Sequence, residues 1–139
     1  MMNDKTWGNL PIPNIYKELK GEFIEFDEDN EKLTCKFPVQ KKYFNPMNTT
    51  LGGIIDSWMD VTMGPLSFLL GELVVTKTFK AKFIKPVNSS SKFVTAVAWR
   101  DSVSENESIY KAELYLENGN LAAISEGIFV QPKNKEPFT

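Results

Sequence analysis

Histidine is missing altogether from the 139 residues, and cysteine is present once, as Cys35. The first absence excludes every mechanism that turns on an imidazole, from Ser-His-Asp and Cys-His nucleophiles to the usual histidine-based zinc sites. The second excludes an intrachain disulfide and a thiolate metal cluster, and one unpaired cysteine suits a reducing compartment. An excess of basic charge is lacking too. Sixteen Lys and Arg against 18 Asp and Glu give a net charge of −2, where generic nucleic-acid binding wants a basic face. No run of about 18 apolar residues occurs; the most apolar segment, Ile54 to Leu70, is interrupted by Asp56 and Asp60. The first residues, Met1 to Trp7, have neither the basic nor the apolar region of a signal peptide. A cytoplasmic protein that does not enter a membrane is the expectation. Its chemistry has to rest on carboxylates, hydroxyls, amides, lysines or backbone dipoles.

What is present reads as one domain over residues 1–139, since this length and 42% hydrophobic content suit a single core. Residues 1–20 read as an N-terminal arm with a short helix from Pro13 to Lys20, closed by Gly21; residues 131–139 read as a polar tail. Phe23 to Phe26 and Leu33 to Val39 read as a hairpin turning at Glu28 to Glu31, and Leu33, Cys35, Phe37 and Val39 alternate strictly with polar residues. From about Leu51 to Leu70 apolar residues fall on nearly every face, which marks a helix buried all round. Asn48, Thr49 and Thr50 offer oxygens to cap it, Gly71 ends it, and Pro65 removes one backbone bond and predicts a kink. Strands follow: Val74 to Val87, Phe93 to Arg100, Ile109 to Leu116 and Leu121 to Val130, the last two joined by the hairpin signal Asn118-Gly119. On the first of these, Phe79, Ala81 and Phe83 share one face, and Thr76, Thr78, Lys80 and Lys82 the other. The architecture implied is a sheet wrapped around a central helix.

Chemistry collects at that helix. Its N-terminus offers free N–H groups and the positive end of a dipole, and Gly52 and Gly53 let a carbonyl approach without a Cβ in the way. Paired glycines also serve tight packing. Asp56 and Asp60 lie one turn apart on one face, flanked by Ile54, Ile55, Trp58, Met59, Val61 and Met63. A carboxylate among such neighbours needs a partner or a purpose, and two in one cleft push a pKa upward.

The run Asn45-Pro46-Met47-Asn48-Thr49-Thr50-Leu51-Gly52-Gly53, with Asp60 seven residues after the second glycine, resembles the hotdog-fold acyl-CoA thioesterases of the phenylacetate-pathway type and their small bacterial relatives. Met59-Asp60-Val61-Thr62-Met63-Gly64-Pro65, the strand from Thr78 to Val87, and the hairpin from Asn118 to Phe129 extend the resemblance over about Asn45 to Val130. It implies an α+β hotdog fold, an antiparallel sheet around one long helix, and hydrolysis of an acyl-CoA to the free acid and thiol without metal or organic cofactor. It further implies that Asp60 acts as general base or attacks the thioester itself. The N–H of Gly52 or Gly53 would hold the thioester oxygen, Asn45 would position substrate or water, and Thr76, with Thr78 as the alternative, would assist the water. The site would straddle a homodimer, or a dimer of dimers, with Asp60 of one subunit facing Gly52 and Asn45 of the other.

Two positions depart from the family pattern. Leu51 stands where many members carry histidine, and Asp56 where they carry a small or apolar residue; both adjoin the substrate, and Asp56 reads as a second site carboxylate or the partner of a basic residue. A hotdog dehydratase is discounted for want of histidine. The competing class is a non-catalytic acyl or acyl-CoA binding module. Cys35 reads as core, Trp58 and Phe79 as core or pocket lining. Lys80, Lys82 and Lys85 read as a solvated face, or, joined by Arg100 or Lys133, as a patch for the phosphates of coenzyme A.

Overall fold

In the computed structural model, which describes residues 12–132, a short helix α1 (Asn14–Glu18) leads into β1 (Glu22–Asp27) and β2 (Lys32–Pro38). A 3₁₀ turn at Lys41–Tyr43 precedes the long helix α2 (Gly52–Leu69), and β3 (Val75–Phe83), β4 (Phe93–Val103), β5 (Glu107–Leu116) and β6 (Leu121–Val130) follow. All six strands form one antiparallel sheet in the order β1-β2-β4-β5-β6-β3, so β1 and β3 are its edges.

The sheet encloses α2 because alternate residues of each inner strand are apolar. Leu33, Cys35 and Phe37 of β2, Val94, Ala96 and Ala98 of β4, and Tyr110, Ala112 and Leu114 of β5 are all buried with Trp58, Met59, Met63 and Leu66 of the helix. Trp58 stacks on Phe37 with centroids 6.4 Å apart, and Tyr16 of α1 meets the same Phe37 edge-on at 5.7 Å, geometries that add to the area these rings bury. Small residues in the strands give the helix room: a Cβ on Gly127 would meet Met63 Sδ at 3.1 Å. Cys35 is wholly buried, and burial pushes its thiol up to about 11, the state of a core residue rather than a nucleophile.

Several details differ from the sequence expectations. The turn after α1 is made by Lys20, at φ 57°, while Gly21 is needed for contact: a Cβ there would lie 2.5 Å from the Tyr16 ring. The third strand stops at Phe83; Ile84 and Lys85 leave the ladder and both donate to the carbonyl of Ala122. Helix α2 continues through Pro65 to Leu69. It is not buried all round in a single protomer, since Gly53 and Phe68 are exposed and Ser57, Asp60 and Gly64 half-buried, a stripe at helical spacing turned away from the core.

The two helix ends also differ from expectation. At the start, Leu51 is the N-cap and no side chain among the described residues caps the helix. The Thr49 hydroxyl instead accepts from Asn45 Nδ2, and Thr50 Oγ1 is buried with no hydrogen-bond partner among the described residues. At the finish Gly71 takes φ 87°, its N–H donates to Phe68 and that of Glu72 to Ser67. This is the paired closure that a left-handed residue gives a helix C-terminus.

Candidate functional site

Asn45 organises the approach to α2. Its Oδ1 accepts from the N–H groups of Met47 at 2.9 Å and Thr49 at 3.2 Å, and its Nδ2 donates to Thr49 Oγ1 at 2.9 Å. Among the described residues its second amide proton has no acceptor. The turn delivers the chain to Leu51, itself exposed, and to Gly52 and Gly53, whose N–H groups find no acceptor among the described residues. The two glycines differ. A Cβ on Gly52 would stand 3.2 Å from the Phe83 ring, whereas one on Gly53 would project into open space. Gly52 is therefore a packing glycine, and Gly53 keeps the approach to the helix end clear.

Two turns along the helix, Asp60 accepts a hydrogen bond from Thr76 Oγ1 at 3.2 Å. That contact depends on an irregularity in β3. Phe79, Ala81 and Phe83 pair with Gly127, Ser125 and Ala123 on the helix side, and Thr78 pairs with Ile128 on the outer side. Strict alternation would leave Thr76 outside with Thr78. The register shifts between them, Lys77 is the extra residue, and Thr76 pairs with the buried Phe129 instead. A bulge of this kind re-aims the side chains that follow it. Thr78 is thereby removed from the vicinity of Asp60.

Burial raises the Asp60 carboxyl above the usual range; the Thr76 hydrogen bond opposes this and the nearby Asp56 charge adds to it. Asp56 is itself raised by burial, and its Oδ1 has no hydrogen-bond partner among the described residues. No ion pair among the described residues includes it. A carboxylate with a raised pKa is a better proton acceptor for water than an ordinary aspartate.

Asp60 and Thr76 lie on the wall of a cavity of about 460 Å³ between the second half of α2, the start of β3 and α1. Ile15, Val61, Pro65, Phe68, Val74 and Phe129 give it an apolar lining. Glu72, immediately after the helix-closing Gly71, also lines it. Glu72 went unnoticed in the sequence, although a left-handed glycine at a helix end turns the next residue back over the last turn.

The basic residues lie elsewhere. Arg100 binds Glu31 through two nitrogens and stands 3.5 Å from Glu72, so it is engaged within the protomer. Lys80 and Lys82 project from the outer face of the sheet, where a shallow groove also includes Trp99, Lys111 and Ile124. Lys85 is exposed, and Lys133 lies outside the described residues. No group of three or more Asp, Glu or Cys poised to hold a metal occurs among the described residues, nor does any described helix have the length and apolarity to cross a membrane.

The architecture matches solved structures closely. The PaaI protein of the Escherichia coli phenylacetic acid degradation operon superposes with a TM-score of 0.78 at 19% identity, over 85% of this chain and 83% of that one. A putative thioesterase from Ralstonia eutropha, related to phenylacetic acid degradation, gives 0.82 at 18% identity, over 91% and 96%. The chain has the hotdog fold. A mutant thioesterase from Pseudomonas aeruginosa shares this hotdog architecture at 22% identity, with a TM-score of 0.76 over 84% of both chains. By sequence, no family model and no curated protein matches.

Proposed function

We propose that this protein hydrolyses acyl-CoA thioesters, with Asp60 as the general base. The observation that carries the proposal is the Asp60 carboxylate, half-buried in the wall of a mainly apolar cavity and held by Thr76. In this reading Asp60 takes a proton from water, which attacks the thioester carbonyl carbon. The C–S bond then breaks, and the thiolate leaves with the proton that Asp60 returns. Developing charge on the carbonyl oxygen is met by the open N–H groups of Gly52 and Gly53.

Those donors and Asp60 cannot serve one thioester from the same chain. At 1.5 Å per residue, Gly52 and Asp60 are separated by about 12 Å along the helix axis. A second copy resolves the mismatch by presenting its own helix start to Asp60. The free edge of β3, nine residues long, is the natural seam for that copy, since an unpaired strand edge is a template for another. Leu51 and the spare amide proton of Asn45 then lie beside the thioester of the opposite subunit.

The test is thiol release from a panel of acyl-CoAs by the wild type and by Asp60→Asn, with oligomeric state measured alongside. The asparagine keeps an oxygen for Thr76, so the fold is retained, and turnover should drop by about 10² or more. Equal turnover in the variant removes Asp60 from the mechanism. Binding of acyl-CoA with no turnover in either protein makes this a binding module.

A further inference from the structure

The cavity that contains Asp60 carries a second carboxylate, Glu72, which the hydrolytic mechanism does not use. Its position is fixed twice. Gly71 turns the chain so that the Glu72 N–H closes onto Ser67, and the side chain reaches β5. There Ser108 Oγ donates to one carboxylate oxygen at 2.5 Å and the Tyr110 hydroxyl to the other. Arg100 Nη1 is 3.5 Å from Glu72, but the same guanidinium also binds Glu31. One cation serves two carboxylates, and the cluster keeps a net negative charge. An ionised carboxylate accepts about four hydrogen bonds; among the described residues two hydroxyls donate to Glu72, and Arg100 adds only the longer ion pair.

Register gives the spacing. Thr76 of β3 lies opposite Phe129 of β6, and Phe129 opposite Ser108 of β5, in one row across the sheet. Two steps of about 4.8 Å put the ends of the row about 10 Å apart. Asp60 is bonded to one end and Glu72 to the other, and Phe129, edge-on to Tyr110 at 5.1 Å, lies between. A short acyl group with its thioester at Asp60 would cross Phe129 and end at Glu72.

We propose that Glu72 is the specificity residue of this site, selecting short acyl groups that end in a hydroxyl or ammonium donor and turning away those that end in a carboxylate. This rests on the thioesterase reading. A methyl end leaves acceptor capacity of a largely buried carboxylate unused, a carboxylate end meets a like charge, and a donor end takes up that capacity.

The experiment compares hexanoyl-CoA with its terminally hydroxylated, terminally aminated and carboxylate-ended analogues. With the wild type, kcat/KM for the hydroxylated and aminated substrates should exceed that for hexanoyl-CoA by about 10-fold or more, and the carboxylate-ended substrate should be the poorest. Glu72→Gln keeps an acceptor for Ser108 and Tyr110 and should compress the whole series to within a few-fold. Turnover with no donor preference, or a preference unchanged in Glu72→Gln, overturns the assignment and leaves the hydrolytic mechanism standing. If no substrate turns over, the hydrolytic reading fails, and calorimetric binding of the same four compounds decides on Glu72. Tighter binding of the donor-ended pair then upholds its role, and equal binding ends it. The wild-type series decides even if the variant does not fold.

Discussion

The two ends of α2 are finished in opposite ways. At the C-terminal end Gly71 closes the helix, its N–H and that of Glu72 satisfy two carbonyls, and Glu72 is secured by Ser108, Tyr110 and Arg100. At the N-terminal end no described side chain caps the helix and the N–H groups of Gly52 and Gly53 meet no acceptor among the described residues, although Thr49 and Thr50 stand next to it. A helix start left uncapped gives up about 1 kcal/mol that a Ser, Thr, Asp or Asn would supply. The closed end holds its neighbours in place, and the open end offers donors to whatever arrives.

Substitutions should separate the two ends. Asp60→Asn, with its loss of about 10² or more, is the largest expected effect, and it comes with a gain in stability at neutral pH. Because burial raises the folded-state carboxyl above its unfolded value, Asp60 favours folding only at low pH. That contribution is lost as pH rises through the interval between the two values; thermal melts against pH check the sign. Gly53→Ala comes next. Its methyl enters open space, so stability should hold or rise by up to about 1 kcal/mol, while crowding of the open donors should lower kcat/KM by about 10-fold or more.

At the other end Gly71→Ala should do the reverse. A Cβ at φ 87° should cost about 1–2 kcal/mol in denaturant titrations, with the rate per folded molecule far less affected than by Gly53→Ala. If both alanines act on stability alone, the contrast between the ends is lost. The smallest effects are on pH. Activity that needs ionised Asp60 falls at acid pH, so Thr76→Val, which removes the hydrogen bond lowering its pKa, should move the acid limb of kcat/KM to higher pH. Asp56→Asn should move it to lower pH.

The fold was legible because its signals are repetitive. Leu33, Cys35 and Phe37 alternate as a half-buried strand must, Asn118-Gly119 marks its hairpin, and Leu121 to Val130 forms β6 as read. The site was legible only where it follows the helix period, which puts Asp56 and Asp60 on one face. Thr76 could not be told from Thr78 by counting, since the register shift between them is a property of pairing with β6. The contacts of Arg100 were hidden because Glu31 and Glu72 are 69 and 28 positions away in sequence. Glu72 depended on recognising the geometry of Gly71.

Lys77 has a consequence of its own. It occupies no place in the pairing of β3 with β6, and its ammonium group reaches out to Glu107 at 3.0 Å in an exposed ion pair, a contact of small worth. The strand thus absorbs an insertion in its middle, where loops usually take them up. Excising Lys77 should leave a regular strand in which Thr76 still meets Asp60, a shortened protein that keeps its activity.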